Sequence, residues 1–399
     1  MSAAHMAFET FAASEMAARH DVIEGFEIET GVDRQSLASD WAALEALNTA
    51  SLFQSFEFVD AWCRVSAAAQ GETPLFVVGR RDGALQFILP LALTRRFGMP
   101  VLTWLAQGHA NYGMGLVHPD ALDLLTAESA ERLMKAIAAR AGAAVVHLDK
   151  QPARWAGHAN PFALGASARL TANDTYVVAL DDDFDAQHKT LFSNKSTSTL
   201  KRKQRRLEEG GGVSFDPPTD PADRHRTIEW FFDEKRKRLA EEGQGSVFDM
   251  LEIGDLYRDL VASPHFDIDR LAVHGTPVAV ALTIRSGNAA YLLNTAYSGA
   301  EFARFSPGAI LLHRHVANMH AKGARVFDFG PGAVPYKFEW RPEAIPLVSS
   351  TIAVTVIGRP QQLLLRAING AKCAVKRNDP LREAVFKLRR LAGTWRSKI

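Results

Sequence analysis

The stretch from Tyr291 to Trp340 constrains the fold of this chain more than any other part of it, and reads YLLNTAYSGAEFARFSPGAILLHRHVANMHAKGARVFDFGPGAVPYKFEW. Tyr291 to Tyr297 is rich in aromatic, aliphatic and Thr residues, which predicts a strand. Ser306-Pro307 predicts a helix start. Serine suits the N-cap, and proline suits the first helical position because its missing N–H would be unpaired there anyway. Leu312, Val316 and Met319 then recur at i, i+4, i+7 on one helix face, and Gly323 stands at the stop. Val326 to Phe329 predicts a second strand, broken by Gly330-Pro331-Gly332. The order is strand, glycine-containing loop, helix, strand. A helix start exposes backbone N–H groups, and the helix dipole adds partial positive charge there. Gly308 and Ala309 have almost no side chain, so a pyrophosphate can approach the amides of Gly308 to Ile310.

The 399 residues suffice for two or three domains of ordinary size, and 47% hydrophobic with 23% charged residues describes a soluble globular chain. The net charge of +1 gives no support to DNA or other nucleic acid as a partner. No apolar run approaches the ~20 residues of a membrane span, and no signal peptide is evident at the start. Cys63 and Cys373 are far apart with no metal-ligand spacing around them, so neither a disulfide nor a metal site is expected and the setting reads as cytoplasmic.

Residues 1 to 25 are Ala-rich and read as a loose, weakly helical arm. A short strand is expected at 26–29 and helices at 40–50 and after Phe56. Leu75–Gly79 and Ala84–Leu93 form a hairpin around Arg81-Asp82-Gly83. A helix at 127–141 and strands at 145–148 and 176–180 follow. Residues 194 to 209 form a basic helix, in which Lys201, Arg202, Arg205 or Arg206 is a candidate for a substrate phosphate and a solvated helix is the plainer reading. Another helix at 227–241 precedes a second hairpin around His274-Gly275-Thr276. The two hairpins echo each other, as do the helix ends at Gly142 and Gly323. The glycine pairs 83/275 and 142/323 are 192 and 181 residues apart, which suggests a duplicated α/β domain, each copy a mixed sheet flanked by helices. The expected divisions are 26–180, 181–358 and a basic amphipathic tail, 359–399. That tail holds 11 Lys/Arg against two Asp/Glu, a net +9, and leaves the rest of the chain at −8. Two uses compete for it: docking on an acidic face of its own body or a twin subunit, or lying on anionic lipid as a peripheral membrane contact. The balance of charge within one molecule favours the first.

Lys337 follows a Gly-Pro-Gly loop, where it binds a phosphate or carboxylate or is an ordinary surface lysine whose truncation leaves the core intact. Asp328 lies in an apolar strand with Phe327 and Phe329 pointing the other way; it acts as a base or binds backbone donors of the next loop. Tyr297 and Tyr336 carry phenol hydroxyls that can donate a proton. Glu301 is a weaker base. In the first half, Gln54 is hard to explain as core, and His109, Asn111 and Tyr112 lie in a Gly-rich loop suited to an acceptor cleft.

FQSFEFVDAW at 53–62, ILPLAL at 88–93, KSTSTLKRKQRRLEEGGGVSF at 195–215, AYSGAEFARFSPGAILL at 296–312 and FDFGPGAVPYKFEW at 327–340 together resemble the GNAT-superfamily acyltransferases of the CelD/BcsL type, found with cellulose and other exopolysaccharide loci. These are similar to the Fem-type aminoacyltransferases. The resemblance, over about residues 26 to 345, implies α/β (α+β) architecture with two tandem GNAT-like domains. It implies acyl transfer from acetyl-CoA to a glycan or other small-molecule acceptor, with a donor site in the second domain only, Tyr297 or Tyr336 protonating the leaving thiolate and Tyr336 also bordering the acceptor. Arg304, Phe305, Ser306, Gly308, Ala309 and Ile310 stand where the family's pyrophosphate loop would be, although only part of that signature is kept. Fem-like use of aminoacyl-tRNA and an inactive scaffold are the alternatives.

Overall fold

The structure is a computed structural model and describes residues 19–378 except 164, 242–250 and 300. The expected arm at residues 1–18 and the tail from 379 onward lie outside the described residues. The described residues form two compact units, one holding those up to Ala172 with Pro346–Ala374, the other those from Asn173 to Ile345 and from Val375 to Asn378.

In the first unit, β1 (Arg19–Ile23), β2 (Phe26–Thr30), β3 (Thr73–Arg81), β4 (Ala84–Arg96) and β5 (Met99–Trp104) run as an antiparallel meander, and β6 (Val145–Pro152) joins β5 in parallel. Residues 19–23 are thus a strand, not part of a weakly helical arm. Pairing with Phe26–Thr30 satisfies their backbone, which local propensity does not report. The helix α1 (Ala127–Arg140) connects β5 to β6 and buries Leu133, Met134 and Ile137 against Leu102, Trp104 and Val146.

The second unit begins at Asn173, within β7 (Ala168–Ala179) and before the expected boundary at 181. This strand is followed by α2 (Asn194–Glu208), β8 (Val213–Phe215), α3 (Pro221–Glu241), β9 (Phe266–Val273), β10 (Thr276–Ser286), β11 (Ala289–Tyr297), α4 (Pro307–Ala321) and β12 (Val326–Pro331). The sheet order is β7-β12-β11-β10-β9-β8, with β11 and β12 parallel and every other neighbouring pair antiparallel. The next strand, β13 (Glu343–Ala353), pairs with β6 and from Pro346 belongs to the first unit. Strand pairing, a non-local property, therefore moves both expected divisions.

The duplication is visible strand by strand. β3-β4-β5, α1, β6 in one unit and β9-β10-β11, α4, β12 in the other have the same order and the same strand directions. Both hairpins turn on a residue pair with positive φ, Asp82-Gly83 and His274-Gly275, which matches the twist of the strands they join.

After β13 comes the helix α5 (Arg359–Arg377), the described part of the tail. One face docks on the first unit: Leu365 packs with Val101, Ala144 and Val145, while Gln361 donates to the Arg96 carbonyl at 2.8 Å and Gln362 to that of Thr351 at 2.8 Å.

Candidate active site

β11 and β12 pair only at Ala289↔Val326, Ala290↔Phe327 and Tyr291↔Asp328, and beyond these residues no pairing between them is present among the described residues. The strands part just where β11 carries a bulge: Thr283 of β10 faces Leu292 and Leu282 faces Asn294, so Leu293 is the extra residue. A bulge re-aims backbone and side chains next to a site. The first of the freed amides already seeks a substitute, Thr295 N–H donating to Asn294 Oδ1 at 2.9 Å.

The N-terminus of α4 lies on the same connection. Pro307 occupies the first turn as predicted, but Ser306 does not cap with its side chain. It adopts a left-handed conformation, φ 54°, and its Oγ instead receives a 2.7 Å hydrogen bond from Lys203 Nζ. The Ser306 carbonyl accepts from Ala309 N at 3.0 Å and from Ile310 N at 3.2 Å. Two of the three amides expected to be open are therefore already paired within the turn, and the Gly308 N–H is the remaining donor. Gly308 also lacks room for a side chain, since a Cβ there would stand 2.9 Å from the Tyr297 ring. Ile310 is core, and Arg304 is exposed with its guanidinium 4.7 Å from the centre of the Phe305 ring.

Lys203 is the residue that sequence reasoning missed. Lys201, Arg202, Arg205 and Arg206 are exposed, whereas Lys203 is half-buried. The signal was present: Leu200, Lys203 and Leu207 share a helix face at i, i+3, i+7, and the two leucines pack on the core. A cation at a helix N-terminus opposes the dipole, and an anion placed there relieves the conflict.

The β12 end is a clamp on Gly330, which has φ 73°. Asp328 Oδ1 accepts the Gly330 N–H at 2.6 Å, and Lys337 Nζ donates to the Gly330 carbonyl at 2.9 Å and that of Pro331 at 3.1 Å. Asp328 thus takes the backbone-binding role, one of the two expected for it. Lys337 is a correction: it belongs to a one-turn helix, Pro335–Phe338, and is only 3% exposed, so it is no surface lysine. Burial pushes its pKa down to about 8, against the pull of Asp328.

Tyr297 is exposed at the end of β11, with the Arg238 guanidinium 5.0 Å from its ring centre. Burial pushes the Tyr336 hydroxyl up to about 12, with Tyr297 and Arg238 close enough to act on it, so it remains protonated and serves as a hydrogen-bond donor. Glu301 is exposed on the loop before the helix.

The corresponding gap in the first unit is filled by its own chain. β5 and β6 pair only at Val101↔Val145 and Leu102↔Val146. Residues 105–113 fold into the space beyond: Gln107 Oε1 accepts from Asp149 N at 2.9 Å, Lys150 Nζ donates to the Ala110 carbonyl at 2.8 Å, and Gly113 N donates to Lys150 O at 3.1 Å. The α1 N-terminus is capped by Thr126, which accepts from Ser129 N at 3.1 Å, and Glu128 satisfies the dipole. Gln54 and Tyr112 are corrected from substrate contacts to core. Gln54 Nε2 donates to the Tyr112 carbonyl at 3.0 Å, and the Tyr112 ring packs on Phe53 and Trp155. His109 stacks on Trp62, and burial pushes its pKa down to about 4. Asn111 alone of the four is partly exposed without ring packing of this kind.

A buried network fixes α4 to its sheet. His315 Nδ1 is 2.8 Å from Asp269 Oδ2, its Nε2 is 2.6 Å from Thr283 Oγ1, and Asn318 donates to both Asp269 oxygens at 2.9 Å. Burial pushes the Asp269 carboxyl up, but hydrogen bonds from His315 and Asn318 hold it below its ordinary value. Its contribution to stability is therefore complete above the unfolded carboxyl pKa of ~3.9 and is lost as pH falls through the lower folded value. His315→Ala leaves Asp269 and Thr283 facing a cavity and should cost about 3 kcal/mol, read as a lower denaturant midpoint at unchanged slope.

Among the described residues no group of His, Cys, Asp and Glu is placed to hold a metal ion, and no helix is long and apolar enough to cross a membrane. No curated protein sequence matches the chain. The structure is similar to one described as "Crystal structure of FemX", at 12% identity and a TM-score of 0.60 over 84% of this chain and 99% of the other. It is also similar to a conserved protein of unknown function from Bacteroides thetaiotaomicron VPI-5482, at 12% identity and a TM-score of 0.53 over 79% and 97%. At such identities the likeness is one of fold. Residues 194–338, from the first turn of the basic helix through Lys337, match the family described as "Acetyltransferase (GNAT) domain". This segment, which contains the parted strands, the helix N-terminus and Lys203, gives the second unit a GNAT-type acetyltransferase domain, and the domain supports a transferase activity.

Proposed function

We propose that the protein moves an acetyl group from acetyl-CoA to an amine or hydroxyl of a glycan or glycan precursor, as the CelD/BcsL-type resemblance implies. The donor half rests on one observation: the start of α4 offers the Gly308 amide and, through Ser306, the Lys203 ammonium at one point. A pyrophosphate satisfies both. The pantetheine arm then runs between the parted ends of β11 and β12, where it replaces the missing strand neighbour.

The acceptor lone pair attacks the thioester carbonyl carbon, the oxygen becomes anionic, and a backbone N–H of β11 near the Leu293 bulge stabilises it. Collapse breaks the C–S bond. The hydroxyl of Tyr297, whose ring packs beside Gly308, gives the leaving sulfur a proton and is recharged by the one the acceptor loses. Phe338, exposed and edge-on to Tyr176 at 5.1 Å, suits the apolar face of a sugar ring.

Calorimetric titration of CoA into the full chain, followed by transfer of labelled acetyl to a panel of amino sugars and oligosaccharides, tests the reading. Binding with transfer supports it. Binding of aminoacyl-tRNA in place of CoA would shift the donor to the Fem-like alternative, and binding of neither would leave a scaffold. Tyr297→Phe keeps the ring that packs on Gly308 and removes only the hydroxyl. Turnover should drop about tenfold to a hundredfold at unchanged CoA affinity.

A further inference from the structure

The docked helix α5 has a second face that is exposed. Pro360, Leu363, Leu364, Ala367, Ala371 and Ala374 are all exposed, and they lie within one sector of the helix. Solvated helix faces ordinarily carry the charged residues. Here the polar side chains Gln361, Gln362, Arg366 and Asn369 turn inward to bond Arg96, Thr351 and Leu170 carbonyls, and the apolar ones turn out. The turn leading into the helix extends the apolar face, with Val356 and Ile357 at 74% and 72% exposure. The sector from Pro360 to Ala374 runs ~21 Å along the helix at 1.5 Å per residue.

Charge decides what covers it. Arg359, Lys372 and Lys376 are exposed on the helix, which has no carboxylate, while Arg366 is the inward one. Glu131, which lines the hollow beside Arg359, Gln362 and Leu363, is already paired with Lys135 at 3.4 Å. A second copy placed on this face would bring like charges together with no acid on the helix to meet them. An anionic bilayer supplies negative headgroups at the level of the Arg and Lys termini and a hydrocarbon boundary for the leucines. We infer that the outward face of α5, with Val356 and Ile357, docks this protein on the surface of an anionic phospholipid membrane, the inner face holding the helix to its own unit. The helix lies on the lipid and does not cross it. This inference does not depend on the donor or acceptor.

Flotation of the full chain is read on phosphatidylcholine vesicles and on phosphatidylcholine mixed with phosphatidylglycerol. The protein should rise with the mixed vesicles, remain behind with the neutral ones, and lose binding as salt is raised. A variant carrying Val356→Ser, Ile357→Ser, Leu363→Gln and Leu364→Gln changes only exposed side chains, so its melting temperature should match wild type. Its partition should weaken at least about tenfold. Three results overturn the inference: a wild-type chain that does not float, a variant that floats equally well, or a wild-type dimer by ultracentrifugation that the variant turns into a monomer. Should the fourfold variant melt early, Leu363→Gln alone and Lys372→Glu alone are read in its place, with a loss of flotation expected from each and none overturning the inference.

Discussion

Lys203→Glu should reduce CoA affinity roughly a hundredfold, the largest effect expected from any change outside the core. In the structure the Lys203 ammonium reaches across from α2 to Ser306 Oγ at 2.7 Å, placing a full charge at the start of α4. Two of the amides there are already spent on the Ser306 carbonyl, so the helix start by itself has little left to offer an anion. The lysine supplies the rest. Reversing it repels the pyrophosphate and leaves Ser306 unanchored. Lys201→Glu on the exposed side of the same helix makes the control and should change affinity little, since solvent screens it. Wild-type affinity should fall as salt rises, and that slope should flatten in Lys203→Ala. Calorimetry reads all three. Equal CoA affinity in Lys203→Glu and wild type would remove the pyrophosphate from this site.

Lys337→Met should lower both stability and turnover. The side chain is buried and donates to two backbone carbonyls at the end of β12, which methionine cannot do. Leaving those carbonyls unpaired costs about 1–3 kcal/mol. Turnover should fall at temperatures where the variant is still folded, because the Gly330 end of β12 borders the parted strands. Lys337 is in this sense a positioning residue, and a KM that holds while kcat falls distinguishes its role from a loss of folded protein. The pH dependence has a definite sign. Burial lowers the folded pKa to about 8 from 10.5, so between these values the unfolded chain binds more protons. Wild-type stability should therefore rise relative to Lys337→Met as pH goes from about 8 to 10.5, and the difference should be flat below pH 7. A difference independent of pH over that window would show that the lysine is not desolvated.

The local patterns were enough to place most elements. The i, i+4, i+7 spacing of Leu312, Val316 and Met319 marked α4, and Gly142 and Gly323, both with positive φ, marked the ends of the two matching helices. The repeated hairpins disclosed the duplication. Pro307 marked the first turn of α4 because its effect on the backbone is covalent and travels with the residue.

What the sequence determined by itself was therefore the identity and order of the elements: short-range spacing decides which face of a helix or strand is apolar and where glycine or proline interrupts it. Tertiary structure decided everything that depends on residues far apart meeting. It gave most of β7 to the second unit and most of β13 to the first, since a strand belongs where its backbone finds partners. It chose Lys203 over the five other basic residues of α2, because among the described contacts that one reaches Ser306 across 103 positions. It turned Gln54, Tyr112 and Lys337 inward, where each polar group is matched by a carbonyl or a ring that no local window contains. It also opened one strand gap and filled the other, a difference between two copies nearly alike in pattern that rests on contacts no local window contains.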